Sequence, residues 1–448
     1  MLRFASTAIF VAAILLPAAH AQDAKKKTPS LVVDISAAAI DAAVRRSVDR
    51  TEDVDEIIQD SPVYGKSRIV GGIAAELLPS PSHGAIDIVF RGQSNARTVS
   101  IRPFVFVHAF TQTPFEVRRR VMIDGTGLSI VPGPQFARSA SMLLDVTSRE
   151  EPDYLAMWVG RKLAERNKSL AEEEIACKVA AKLSRRLGDE LTPKVESLAR
   201  SAGDVLKQLK RAGADMDSLT FSSTPAHLQG RIHTPTTAKI TPMPPWPGEI
   251  DVGVRVHHSF INETARKVYG GRTFPVTEAS AFYEEATLGL LRDGRKDEDK
   301  KGGLKAIEKL IATFGGKGAT ITLADEDPLT VAFVEQGFAI EIHIGSIRQG
   351  DKTYAGTRVQ ATCAIENAKD GVHLVRKDAI RLNVDAPAGK LEAQPVAFRL
   401  LQNLLFGEIL MERLILDATP PSVGEARFAA PRAGTRDGWL GVAWMLSR

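Results

Sequence analysis

The sequence predicts an α+β protein of two similar modules, each an amphipathic helix packed on a curled antiparallel sheet, with a helical pair between them. Three observations lead there. Alternating runs rich in branched and aromatic residues fill Gly65 to Val131 and recur late in the chain. A long stretch after Pro152 is rich in Ala, Leu, Glu, Lys and Arg. The order of short strand, amphipathic helix, spacer and β meander occurs twice.

The elements follow in order. Arg3, the apolar run Ala8–Leu16 and the small residues of "AHA" ending at Ala21 predict a signal peptide over 1–21. A polar tether covers 22–30, and the first module covers 31–150. In that module "LVVDIS" reads as a strand, and Ile40, Val44 and Val48 form one helical stripe behind it. "DGTG" at Asp124–Gly127 marks a hairpin. The helical pair spans 151–215, with Pro193 opening its second helix, where a missing N–H is harmless. Residues 216–249 are strand and a proline-rich connector, and 250–448 form the second module. Its helix starts at Ser259, which with Ser36 is a candidate N-cap. In "FAIEIHI", Phe338, Ile340, Ile342 and Ile344 face one way. The longer spacer of this module includes a helix through Leu304, Ile307, Leu310, Ile311 and Phe314. A last one carries Leu400, Leu404, Ile409, Leu410 and Leu414, before a closing strand with Trp439 and Trp444.

Several chemistries are absent from the sequence pattern. Lys plus Arg exceed Asp plus Glu by only 58 to 54, so no nucleic-acid partner is expected. No run of about 18 apolar residues follows the signal, so no membrane-spanning helix is expected. Cys177 and Cys363 stand outside any CxxC and are either paired or two separate thiols. "DSPVYGKS" at Asp60–Ser67 carries an acid where a phosphate loop needs its first glycine. "GQSNA" at Gly92–Ala96 lacks the second glycine of a nucleophile elbow and reads as a turn. Glu172, Glu173 and Glu174 read as a solvated helix face. Arg118, Arg119 and Arg120 alternate across a strand. No catalytic residues and no cofactor are assigned.

The pair His257–His258 ends a strand and enters a helix, so the two rings are expected on opposite faces. They read as strand-end residues leading into a helix, and no metal is assigned; a metal site on His257 and His258 would require His227 or His233 to fold beside them. The surrounding "PMPPWPGEID" and "VRVHHSFINETARKVYGGRTF" resemble segments of uncharacterised exported proteins of planctomycete-type bacteria. The repeated helix on a curled sheet is similar in architecture to the tubular lipid-binding superfamily of the bactericidal/permeability-increasing type.

An apolar sheet face wrapped on an amphipathic helix leaves a groove suited to acyl chains or other hydrophobic ligands. Its candidate lining is Ile40, Val44, Phe104 and Phe106 in the first module, and Phe260, Val268, Phe338, Ile340 and Ile342 in the second. The expected function is an exported, non-catalytic protein, periplasmic or extracellular, that binds an apolar ligand or envelope lipid. The alternatives are a structural or interaction component of the envelope, and an exported hydrolase with a dispersed site.

Overall fold

A computed structural model describes residues 28–448, except 150–152, 212–215, 236–238, 247, 276–290, 294–317, 370, 387–390, 397–398, 400–401, 404–412, 417–426 and 448. The chain starts with β1 (Leu31–Ser36) and α1 (Ala37–Val44). Six strands follow: β2 (Arg46–Ile58), β3 (Ser61–Leu78), β4 (Gly84–Ile101), β5 (Val105–Asp124), β6 (Gly127–Ala137) and β7 (Ala140–Ser148). Helix α2 (Tyr154–Arg211) leads to β8 (Ser218–Ser223), β9 (His227–His233), β10 (Val252–His257) and α3 (His258–Tyr269). Next come β11 (Thr273–Pro275), β12 (Leu291–Asp293), β13 (Thr320–Leu323), β14 (Leu329–Val334), β15 (Gly337–Gln349) and β16 (Lys352–Ala368). The chain closes with β17 (Gly371–Arg376), β18 (Arg381–Val384), β19 (Arg413–Leu416), β20 (Arg432–Arg436) and β21 (Trp439–Trp444).

These elements form two compact units. The helix-backed unit comprises Ala37–Arg200 and Ser222–Leu228; the two-sheet unit comprises the remainder. The fold class is the expected α+β, with antiparallel sheets and a long helix. In the two-sheet unit β1 pairs antiparallel with β10, Leu31 opposite Val256 and Ile35 opposite Val252. Strands β21 and β20 extend that sheet, and Pro244 and Trp246 of the proline-rich connector belong to this unit. Helix α3 sends Ala265 and Tyr269 into a core with Ile321, Ile342, Ile344 and Val359. In the helix-backed unit the order is β2-β3-β4-β5-β6, with β7 on the free part of β5.

Several expectations are corrected by the structure. The helical pair is one continuous α2, with Pro193 inside it. An internal proline removes one helix bond and costs about 3 kcal/mol. Burial of Leu183, Leu187 and Val195 on both sides of it offsets that cost. Val48 lies on β2, beyond the short α1. "GQSNA" is the interior of β4, because its neighbours pair with both β3 and β5. Asp60, with φ of 57°, is part of the β2–β3 turn, and Ser61–Ser67 run into β3. Leu414 belongs to β19, paired with β17, while Leu400, Leu404, Ile409 and Leu410 fall outside the described residues. The expected signal peptide and the helix through Leu304–Phe314 also lie outside them.

Candidate functional site

The long strands of the helix-backed unit alternate as their periodicity requires, one face toward α2. Register then determines what each level of that face contains. One row across the sheet reads Glu52, Ser67, Ala96, Thr111, Ser141. The next reads Val54, Gly65, Thr98, Ala109, Leu143. In the third, Val63 stands beside Ser100 and Val107. The middle of the sheet is therefore paved with short side chains, where a packed core would carry Leu, Ile or Phe.

Helix α2 crosses over this pavement without filling it, and a cavity of about 300 Å³ remains. The helix contributes Ala164, Ala171, Ile175, Val179 and Leu183 to its wall. Residues 171, 175, 179, 183 and 187 advance by four, against 3.6 per turn for a straight helix. The face in contact thus winds about 40° per step, following the twist of the sheet. Beyond the Ile69–Ser94–Thr113 level, Phe90 and Phe115 meet edge to face, 4.8 Å apart. They fit only because Gly71 and Gly92 lie beside them; a Cβ on Gly92 would sit 2.9 Å from Phe115.

Five of the hydroxyl groups in the wall are hydrogen-bonded to a neighbouring hydroxyl. Ser67 and Ser94 are 2.7 Å apart, Thr111 and Ser141 2.9 Å, and Thr113 and Ser139 2.8 Å. Paired hydroxyls have little need of water, so the cavity is compatible with an apolar occupant. Polar groups hold the helix at both sheet edges. Glu172 accepts from the Ser141 N–H on β7, while Glu174 accepts from the Gln59 N–H at the β2–β3 turn. Residues two apart on a helix point about 200° from each other, so each carboxylate reaches its own edge. The expected reading as a solvated face is corrected for Glu172 and Glu174, while Glu173 is exposed. Glu174 is held below the usual carboxylate range by the Gln59 backbone N–H first, with Lys178 adding to it. Lys182 lies 3.5 Å from Glu52 and Lys178 3.2 Å from Glu174 along the β2 side. No histidine or cysteine lines the cavity among the described residues.

None of the expected ligand-lining residues lies in this wall. Ile40 and Val44 are on α1, Phe104 is exposed, and Phe106 lies 5.8 Å beneath the Arg149 guanidinium. In the two-sheet unit Val268 and Ile342 belong to one filled core and Phe338 to another. Ile340 touches both and borders a polar-walled hollow with Glu341, Gln360 and Arg381. Phe260 is half-buried on α3. The signal missed in the sequence is a run of small residues at inward positions, which becomes a void only when four strands align.

The two histidines also differ from expectation. His258 is the first residue of α3, so the rings lie against each other, centroids 4.3 Å apart and planes tilted by 36°, instead of facing apart. His257, not Ser259, is the N-cap: its Nδ1 accepts from the Ser259 N–H and lies 2.8 Å from the Ser259 Oγ. Ser36 directs its Oγ to Asp251, 2.7 Å away. At 1% and 2% exposure, His257 and Ser259 are closed to any substrate, despite having the residue types of a base and a nucleophile. Burial, aided by His258, pushes the His257 pKa down to about 4, and burial lowers that of His258. Among the described residues no group of three His, Cys, Asp or Glu converges. Both cysteines are free thiols, and burial raises Cys363 to about 11. The β20–β21 turn supports the pair: Gly438 has φ of +81°, and a Cβ there would lie 2.9 Å from the His257 Nε2. Gly438→Ala is expected to lose about 1–3 kcal/mol in urea denaturation through this strain.

No protein-family model matches the chain, and no curated protein matches it, so the resemblance to planctomycete-type exported proteins gains no support. Among solved structures, a lipopolysaccharide binding protein is similar at a TM-score of 0.32 and 11% identity, over 94% of this chain and 99% of that one. P47 from Clostridium botulinum A2 is similar at a TM-score of 0.25 and 9% identity, over 93% and 97%. At these scores neither likeness assigns a role to any residue of this chain.

Proposed function

We propose that the helix-backed unit holds one extended apolar ligand, the size of a single acyl chain, and performs no chemistry on it. The observation that carries this reading is the strip of short side chains beneath α2, with Ser67 bonded to Ser94 and Thr111 to Ser141, which leaves about 300 Å³ unfilled. That volume is at the lower end of the range for small-molecule sites, about 300–1,000 Å³, and suits one chain better than a whole lipid. Each methylene transferred into such a site contributes about 0.8 kcal/mol. Among the described residues the wall holds no histidine and no cysteine, and of its acids Glu52 and Glu165 are paired with Lys182 and Lys162. The apolar run Ala8–Leu16 supports export, which would make an envelope lipid or its acyl products the available ligands.

Native mass spectrometry of the purified protein, followed by organic extraction, is expected to recover an acyl species. Titration with a dansyl-labelled undecanoic acid then measures the site directly. Ala96→Phe is expected to weaken that probe at least tenfold while leaving the melting temperature unchanged or raised, because the ring occupies empty space. Equal probe affinity in the two proteins would sink the proposal.

A further inference from the structure

The first turns of α2 have two apolar faces where a packed surface helix needs one. Met157 and Ala164 pack against the cluster of Val105, Val107 and Val146, and Gly160 lies against Val105 and Val146. On the other side Leu155, Val159 and Leu163 follow at four-residue spacing, with Tyr154 and Trp158 beside them. These side chains face solvent: Tyr154 is 82% exposed, Leu155 70% and Trp158 61%. Phe104, 74% exposed in the β4–β5 turn, precedes the Val105 on which Gly160 rests. Large apolar side chains this exposed and this close together mark an interaction surface.

Charge identifies the partner. Arg161, Lys162 and Arg166 are exposed along the same turns, against one carboxylate, Glu165, which pairs with Lys162 at 3.0 Å; Lys168 lies instead at the cavity wall, 3.8 Å from Glu172. The acids Glu150, Glu151 and Asp153 precede the helix in the sequence, and Asp153 caps it by accepting from the Leu155 and Ala156 N–H groups. Two copies joined face to face would bring these cations together, a repulsive arrangement for a symmetric interface. Trp, Tyr and Leu interleaved with Lys and Arg instead match a helix lying at the headgroup level of an anionic bilayer.

We infer that the outward face of Tyr154–Leu170, with Phe104, docks on the surface of an anionic phospholipid membrane. This rests on the patch alone and does not require the cavity to hold a ligand. The test is flotation of the full chain with vesicles of phosphatidylcholine, with or without about one-third phosphatidylglycerol. Binding is expected to be at least tenfold stronger on the anionic vesicles. Each of Lys162→Glu and Arg166→Glu is expected to weaken it by about fivefold or more. Leu155→Ser with Trp158→Ser is expected to abolish flotation with unchanged thermal unfolding, because both side chains are exposed. In the unsubstituted protein, brominated lipid is expected to quench a component of tryptophan fluorescence that Trp158→Phe removes. Ala96→Phe is expected to float normally, which separates this surface from the cavity. Absence of flotation on either vesicle, undiminished flotation of the double serine variant, or a solution dimer that this variant converts to monomer would each overturn the inference.

Discussion

Asp34→Ala is expected to destabilise the two-sheet unit by about 3–5 kcal/mol, read as a lower urea midpoint with an unchanged slope. Asp34 on β1 is 5% exposed, and Arg255 on the adjacent β10 is 6% exposed. The carboxylate accepts from the Arg255 guanidinium at 2.5 Å, from the Trp246 indole N–H at 3.0 Å and from the Gln229 amide. Arg255 in turn donates to the Pro244 carbonyl at 2.6 Å and lies 4.5 Å from the Trp246 ring. Removing the acid leaves a buried guanidinium without its counter-charge, and that uncompensated cation is the source of the cost. Asp34→Ala combined with Arg255→Leu is therefore expected to recover much of the loss, since both charges are then gone. A change of under 1 kcal/mol for Asp34→Ala would show that water reaches the pair.

Acidification is expected to remove about 3 kcal/mol of stability between pH 6.5 and pH 4, through His257. Folding lowers its pKa from 6.5 to about 4, chiefly by desolvation, so the unfolded chain binds more protons across that interval. Stability consequently rises with pH. The His257 contribution is fully present above about pH 6.5 and is lost as the pH falls toward 4. His258, also lowered by burial, acts in the same direction. His257→Asn retains an N-cap acceptor without a titrating ring and is expected to flatten the profile over this range. Urea midpoints at pH 7, 5.5 and 4.5 check it, and a wild-type profile as flat as the variant's would refute the assignment.

The contrast between these two sites and the cavity shows which features can be read locally. Alternation in "FAIEIHI" and "FEVRRRVMI" is a property of neighbouring residues, and both are strands with the expected faces. Arg118 and Arg120 on one side reach Glu76 and Asp87, and Arg119 on the other reaches the Ser184 carbonyl. The proline-rich connector resisted local reading because its role is distant: Trp246 and Pro244 close over Asp34 and Arg255.

By itself, the sequence determined the α+β class, most strand faces and the helical nature of residues 154–211, all consequences of spacing along a few turns or pleats. Tertiary structure alone decided that α2 continues through Pro193, that His257 caps α3 with the His258 ring against it, and that the expected ligand residues lie outside the cavity wall. It also decided that Ser67, Ala96, Thr111 and Ser141 lie in one row. The physical reason is register. A serine or alanine is unremarkable in any one strand, and a void appears only where several are hydrogen-bonded into the same level beneath a helix that cannot descend to fill it.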